Sequence, residues 1–75
     1  MAKLPVVSGS DAVRAFERGG WRVDRQRGSH VIMLKPGNIA SLSIPMHNEL
    51  APGTLRAIIR NSGMTVDEFL NLLSN

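Results

Sequence analysis

The spacing of hydrophobic positions changes along the 75-residue chain, from helical spacing to alternation and back again. Apolar residues that recur once per helical turn predict three helices, at 9–18, at 52–61 and from Thr65 through Leu73. Alternating or continuous apolar positions predict three strands, at 21–27, 30–35 and 40–44. We therefore expect one domain over residues 1–75, with the order α-β-β-β-α-α.

Short polar motifs mark where two of the helices begin. Ser8 is followed three residues later by Asp11, and Thr65 by Glu68, so each pair can form a capping box. The third helix then presents Val66, Phe69, Leu70 and Leu73 to the core. Since a three-stranded sheet cannot bury both of its faces, the helices should cover one face and leave the other open.

The strand pattern also predicts how residues pair. In the first strand we expect Trp21, Val23 and Arg25 on one face. Gly28-Ser29 reads as a tight turn, and Pro36-Gly37-Asn38 as the turn that joins the second and third strands. Partners across that second turn should have numbers that sum to about 75 or 76. His30 should then face Pro45 or Met46, with His47 just beyond.

Composition excludes several classes of protein. Hydrophobic residues make up 43% of the chain, which suits a small folded core rather than a disordered tail. The absence of cysteine rules out disulfides and thiolate metal sites. No apolar run reaches the roughly 20 residues of a membrane span, and the apolar part of the N-terminus is too short for a signal peptide. We therefore expect a cytoplasmic protein with no membrane partner.

Positive charge collects in the first half of the sequence. The formal net charge is +3; residues 1–38 contain seven Lys and Arg against three acids, whereas residues 39–75 contain two against three. Such a distribution suits a polyanion, of which nucleic acid is the commonest, although charge alone favours an ordinary solvated surface.

Few side chains could carry chemistry. There is no Tyr, no Cys, no phosphate-binding Gly-rich motif and no metal-ligand spacing, so histidine is the natural acid or base. His30 directly follows Arg25-Gln26-Arg27-Gly28-Ser29. An imidazole beside cations is what metal-free cleavage of RNA needs, because the base activates the ribose 2′-OH and the cations hold the charged phosphorane.

The candidate site residues follow from this reasoning. His30 is the predicted catalytic residue, His47 is a candidate second acid or base, and the predicted RNA contacts are Arg25, Arg27, Ser29 and Lys35. Five of these six residues have a plainer alternative, since His30 and His47 could be structural, Arg25 and Arg27 could be solvated, and Ser29 could cap the turn. We expect no metal and no cofactor.

The same residues resemble those of the HicA (YcfA-like) family of bacterial toxins. The resemblance extends from Ser8 to Phe69 and rests on three blocks, Gly20-Trp21 with Arg25-Gln26-Arg27-Gly28-Ser29-His30, then Ile44-Pro45-Met46-His47, then Gly53-Thr54-Leu55-Arg56-Ala57-Ile58-Ile59-Arg60-Asn61-Ser62-Gly63-Met64. It implies an α+β fold like that of double-stranded-RNA-binding domains, with helices on one face of a three-stranded antiparallel sheet.

The resemblance also implies a function. HicA proteins are toxins that cleave mRNA without a metal, use the histidine of the Gly-Ser-His block, here His30, and are held inactive by a HicB-type antitoxin. Many members carry a second histidine directly after the catalytic one, where this chain has Val31. His47 is therefore the only other imidazole available for acid–base chemistry in this sequence.

Two other functions remain open at this point. The domain could bind double-stranded RNA without cleaving it, although such a module has no need of a titratable group at His30. It could also be a purely protein-binding subunit, for which the apolar run Val31–Leu34 would supply an exposed patch.

Overall fold

Three helices and three strands follow one another in the predicted order. The computed structural model describes residues 3–74 and contains α1 (Gly9–Arg18), β1 (Arg22–Arg27), β2 (His30–Leu34), β3 (Leu42–Pro45), α2 (Pro52–Ser62) and α3 (Val66–Leu73). The chain is thus an α+β protein with a three-stranded antiparallel sheet, consistent with the fold of double-stranded-RNA-binding domains. The strand limits differ from the predicted ones by one or two residues, most at β3, which begins at Leu42 and includes Pro45.

Both predicted capping boxes are present. The Ser8 hydroxyl accepts a hydrogen bond from the Asp11 backbone N–H at 3.0 Å, and the Thr65 hydroxyl accepts one from the Glu68 N–H at 3.1 Å. In return, each carboxylate accepts a hydrogen bond from the backbone N–H of the capping residue. These bonds satisfy N–H groups that a helix start would otherwise leave unpaired, so they fix where α1 and α3 begin.

The sheet has the strand order β1-β2-β3, and both pairs are antiparallel. His30 pairs with Pro45 and Val31 with Ile44, which confirms the predicted register. The side chains of Val31, Met33, Leu42 and Ile44 are buried beneath the helices. Their neighbours in sequence therefore lie on the opposite face, which carries no helix and which we call the open face.

One prediction about β1 is wrong. The register shifts between Val23 and Arg25, because Asp24 is an extra residue in a β-bulge. Val23 pairs with the buried Met33, whereas Arg25 pairs with Ile32 on the open face, so the two do not share a face. The alternation fails here because a bulge breaks the period of two. All six residues of β1 are exposed, and the strand forms an open edge of the sheet.

The core lies between the sheet and the helix layer. Its largest fully buried side chains are Trp21, Phe16 and Phe69, and the Phe16 and Phe69 rings, 5.1 Å apart between centroids, join α1 to α3. The prediction for α3 is partly wrong, because Leu72 packs against the core together with Phe69 and Leu73, whereas Val66 and Leu70 do not belong to it. No helix within residues 3–74 is long and apolar enough to cross a membrane.

Candidate active site

His30 is the first residue of β2 and lies on the open face. Its Cα partners are Arg27 on β1 and Pro45 on β3, so the imidazole stands between two strands. The residue is exposed to solvent, whereas the next residue, Val31, is buried. His30 therefore does not belong to the apolar interior, and an RNA strand lying on the sheet can reach its ring.

A two-residue turn fixes the position of His30. Gly28 has a φ of 58°. Within residues 3–74 only glycines have a positive φ, so the φ of Ser29 is negative and Gly28-Ser29 has the φ pattern of a type II′ hairpin turn. The Gln26 side-chain amide donates a hydrogen bond to the Gly28 carbonyl at 3.1 Å and holds the turn from the strand side. Gly28 serves the turn, as the sequence predicts.

Two backbone hydrogen bonds clamp the end of β3 beside this turn. The Met46 N–H donates to the Ser29 carbonyl at 2.6 Å, and the Gly9 N–H at the start of α1 donates to the His47 carbonyl at 2.9 Å. A Cβ on Gly9 would lie 2.2 Å from the Pro45 carbonyl oxygen, so only glycine allows this approach.

The clamp determines where His47 lies. Met46 packs against the core and His47 is exposed, two residues beyond the strand partner of His30. The backbone carbonyl of His47 is thus fixed by a hydrogen bond, and its exposed imidazole lies near the end of the sheet at which His30 is found. The structure brings the two histidines to one end of the sheet.

Three arginines of β1 share the open face with His30. Arg27 pairs with His30, Arg25 with Ile32, and Arg22 with Leu34. The Asp24 bulge brings Arg22 into this row, which is a placement that simple alternation does not give. Within the described residues the only carboxylate that forms an ion pair with an arginine of this row is that of Asp24, 3.7 Å from Arg25 Nε in a solvent-exposed pair. The row therefore keeps its positive charge.

The other two predicted RNA contacts, Ser29 and Lys35, lie at opposite ends of β2. Ser29 is exposed in the turn next to His30, and its hydroxyl makes no hydrogen bond to any residue of the 3–74 segment. Lys35 follows the far end of β2, five residues from His30, which is about 16 Å along a strand. Its side chain lies over Gly20, where an added Cβ would be 3.3 Å from Lys35 Cε. Lys35 is therefore not beside His30.

Sequence reasoning missed three residues that shape this site. Arg22 reaches the open face only because of the bulge, Gln26 holds the turn, and Gly9 makes room for the end of β3. Of these three residues, only Gly9 had a signal in the sequence, because it directly follows the helix-capping Ser8. Across residues 3–74 no three His, Asp or Glu side chains lie close enough to hold a metal ion together.

Comparison with known families places this site in context. The family model described as the HicA toxin of bacterial toxin-antitoxin matches residues 9–64, from the start of α1 to just beyond α2. The chain belongs to the HicA toxin family. Membership assigns it the toxin role in a toxin–antitoxin pair and implies both an antitoxin partner and an RNA substrate. No curated protein matches the chain significantly.

The HicA match covers every element that builds the open face. The matched segment includes Gly9 of the clamp, the bulge at Asp24, the turn at Gly28 and both histidines. It ends before α3, whose contribution is the Phe69 ring packed on Phe16. The HicA-matched residues thus contain the whole candidate site, and α3 supports it from behind.

Proposed function

We propose that this protein is a metal-independent endoribonuclease, an mRNA interferase that uses His30 as its acid or base. The observation that carries the proposal is the exposed imidazole on an open sheet face, directly opposite Arg27. Membership of a toxin family supports it, because cleavage of mRNA stops translation and growth. A domain that only bound RNA would not need a titratable group at this corner.

The reaction follows from the groups on the open face. An imidazole removes the proton from a ribose 2′-OH, and the 2′-oxygen attacks the adjacent phosphorus. Arg27 stabilises the negative charge that develops on the phosphorane oxygens, while Arg25 binds the RNA backbone further along the strand. The bond from phosphorus to the 5′-oxygen breaks, and that oxygen takes a proton. The products are a 2′,3′-cyclic phosphate and a 5′-hydroxyl.

His47 is the proposed partner in proton transfer. One imidazole must accept a proton and an acid must donate one, and His47 is the second exposed histidine at this end of the sheet. Ser29 contributes its free hydroxyl to the scissile phosphate, and Lys35 contacts a more distant phosphate of the same strand. A HicB-type antitoxin neutralises the toxin, and an acidic surface on it would complement the arginine row.

The decisive experiment compares wild type with His30→Ala on mixed mRNA in EDTA. Wild type is expected to cleave the RNA, and the variant to leave it intact while keeping its thermal stability and its binding to the antitoxin. Because His30 is exposed, the substitution removes no core contact. Cleavage by His30→Ala at the wild-type rate would contradict the assignment, and a gel shift without cleavage by wild type would favour a non-catalytic RNA-binding module.

A further inference from the structure

A second feature of the β1–β2 hairpin lies at the end opposite His30. There the surface forms an open hollow of about 440 Å³, a volume within the range of about 300–1,000 Å³ that small-molecule sites occupy. We call it the distal hollow. Its apolar lining comes from Val23, Leu34 and Pro36, and its polar lining includes Arg22, Lys35 and Asn38.

The hollow combines an exposed apolar surface with positive charge. Val23 and Leu34 are 47% and 44% exposed, so their side chains offer apolar surface that no part of the described chain covers. Arg22 and Lys35 stand at the same hollow. An apolar surface flanked by cations suits a nucleotide, whose base is flat and apolar and whose phosphate is an anion.

Two further groups line or border this site. The Asn38 side-chain oxygen already accepts a hydrogen bond from the Ala40 N–H at 2.9 Å, so its amide N–H₂ is the part left to donate to a base. Asp24 also lines the hollow, and the charge of its carboxylate is partly balanced by Arg25, whose Nε lies 3.7 Å away. These groups can hydrogen-bond to a base edge.

The arginine row connects the distal hollow to His30. Arg22 belongs both to the hollow and to the row, which continues through Arg25 to Arg27 opposite His30. Leu34 is four residues from His30 along β2, or about 13 Å. One RNA strand lying along β1 could therefore occupy both places, with different nucleotides at each.

We propose that the distal hollow is an anchoring subsite for an unpaired nucleotide of the substrate RNA, several positions away from the cleaved bond. This inference rests on the proposed ribonuclease function and adds a requirement on the substrate. The RNA must be single-stranded and longer than the two nucleotides that flank the cleaved bond. A base can enter the hollow only when it is not held in a duplex. RNA bound at this subsite would contact Lys35, although Lys35 lies far from His30.

The first test measures binding and needs no cleavage. Fluorescence anisotropy measures the affinity of two variants for decaribonucleotides of mixed sequence. One variant carries His30→Ala alone, and the other carries it together with Arg22→Gln and Lys35→Gln. We expect the added pair of substitutions to weaken binding about tenfold and to reduce the slope of log K against log salt by about 0.7 for each cation removed. Arg56→Gln with Arg60→Gln removes the same charge from exposed positions of α2 and is the matched control.

The second test uses cleavage by the enzyme with His30 intact. For decanucleotides, Arg22→Gln with Lys35→Gln should raise KM and leave kcat unchanged, because a distal anchor binds ground state and transition state alike. For dinucleotides, which cannot reach the hollow, kcat/KM should not change. An equal loss of kcat/KM on both lengths would overturn the subsite.

The remaining outcomes separate the subsite from the function on which it rests. If no RNA is cleaved by any variant, the ribonuclease proposal fails, and the binding experiment alone decides the subsite. The subsite is wrong if the α2 control weakens binding as much as the hollow substitutions do. It is also wrong if those substitutions spare RNA binding and weaken only the complex with the antitoxin, since the hollow would then be a protein contact.

Discussion

Arg27 and His30 are paired across the two-residue turn that joins β1 to β2, so the guanidinium and the imidazole leave the same face of the sheet. Directly opposite residues in an antiparallel pair have Cβ atoms about 4.5–5.5 Å apart. A single phosphate can therefore contact both side chains. Arg25 is the next residue of β1 whose side chain lies on this face, and it pairs with Ile32.

This arrangement predicts different roles for the two arginines. Arg27→Gln should lower kcat by about a hundredfold, the order of effect seen when one group that stabilises transition-state charge is removed. Arg25→Gln should mainly weaken RNA binding and reduce its salt slope by about 0.7. Steady-state kinetics at several salt concentrations checks both. Equal effects of the two variants on kcat would contradict the assignment of Arg27 to the reacting phosphate.

The proposed role of His47 is separable from its structural role. His47→Ala keeps the backbone carbonyl that accepts the Gly9 N–H, so the clamp on β3 should survive. Loss of a positioned acid or base should lower kcat by about 10²–10⁴-fold while the melting temperature stays near that of wild type. A variant that cleaves RNA at the wild-type rate would leave His30 as the only imidazole required.

Gly28 and Gly37 offer a matched pair for testing the turn beside His30. Both have positive φ, 58° and 81°, and an added Cβ would meet nothing within 4 Å at either position. Each Gly→Ala substitution should therefore destabilise the fold by about 1–2 kcal/mol through backbone strain alone. Only Gly28→Ala should also reduce cleavage in conditions where both variants are fully folded. Equal activity of the two variants would show that the turn does not position His30.

Gly9 is the residue that lets α1 approach the end of β3. In Gly9→Ala the new Cβ would collide with the Pro45 backbone, so we expect a loss of about 1–3 kcal/mol or more in the free energy of unfolding. Gly53→Ala in α2 is the control, because a Cβ there meets nothing within 4 Å. Denaturant titration followed by fluorescence of the buried Trp21 measures both. A fully stable Gly9→Ala variant would contradict the close contact.

The capping box of α1 predicts how stability depends on pH. Hydrogen bonds from the Ser8 hydroxyl, and then from its backbone N–H, hold the pKa of Asp11 below its ordinary value, with Arg14 adding to the effect. A carboxyl whose pKa is lower in the folded state stabilises the fold above its unfolded pKa of about 3.9, and this contribution is lost as the pH falls through the folded pKa.

The melting temperature of wild type should therefore fall on acidification below about pH 4, in part through Asp11. Ser8→Ala removes the main cause of the lowered pKa, and Asp11→Asn removes the titrating group. Both variants should be less stable than wild type at pH 6 and should lose less stability between pH 4 and pH 2. A Ser8→Ala variant with the full acid dependence would assign that dependence to other carboxylates.

Local sequence signals were sufficient where the structure depends on neighbouring residues. The capping boxes at Ser8 and Thr65, and the pairing of His30 with Pro45, were all predictable. Caps are set by residues three positions apart, and register across a short turn is set by the turn and by which face is apolar. That register predicted which residue His30 faces, whereas its exposure to solvent is a finding of the structure.

Other features depended on packing between distant segments. The sequence determined the elements, their order and the turn that presents His30, because each depends on contacts within a few residues. Tertiary structure alone decided that a bulge at Asp24 brings Arg22 to the open face and that the Lys35 side chain lies over Gly20. It also decided that α1 clamps His47 through Gly9. A bulge and a close backbone approach both depend on how distant parts of the chain fit together, and no local pattern of polar and apolar residues records that fit.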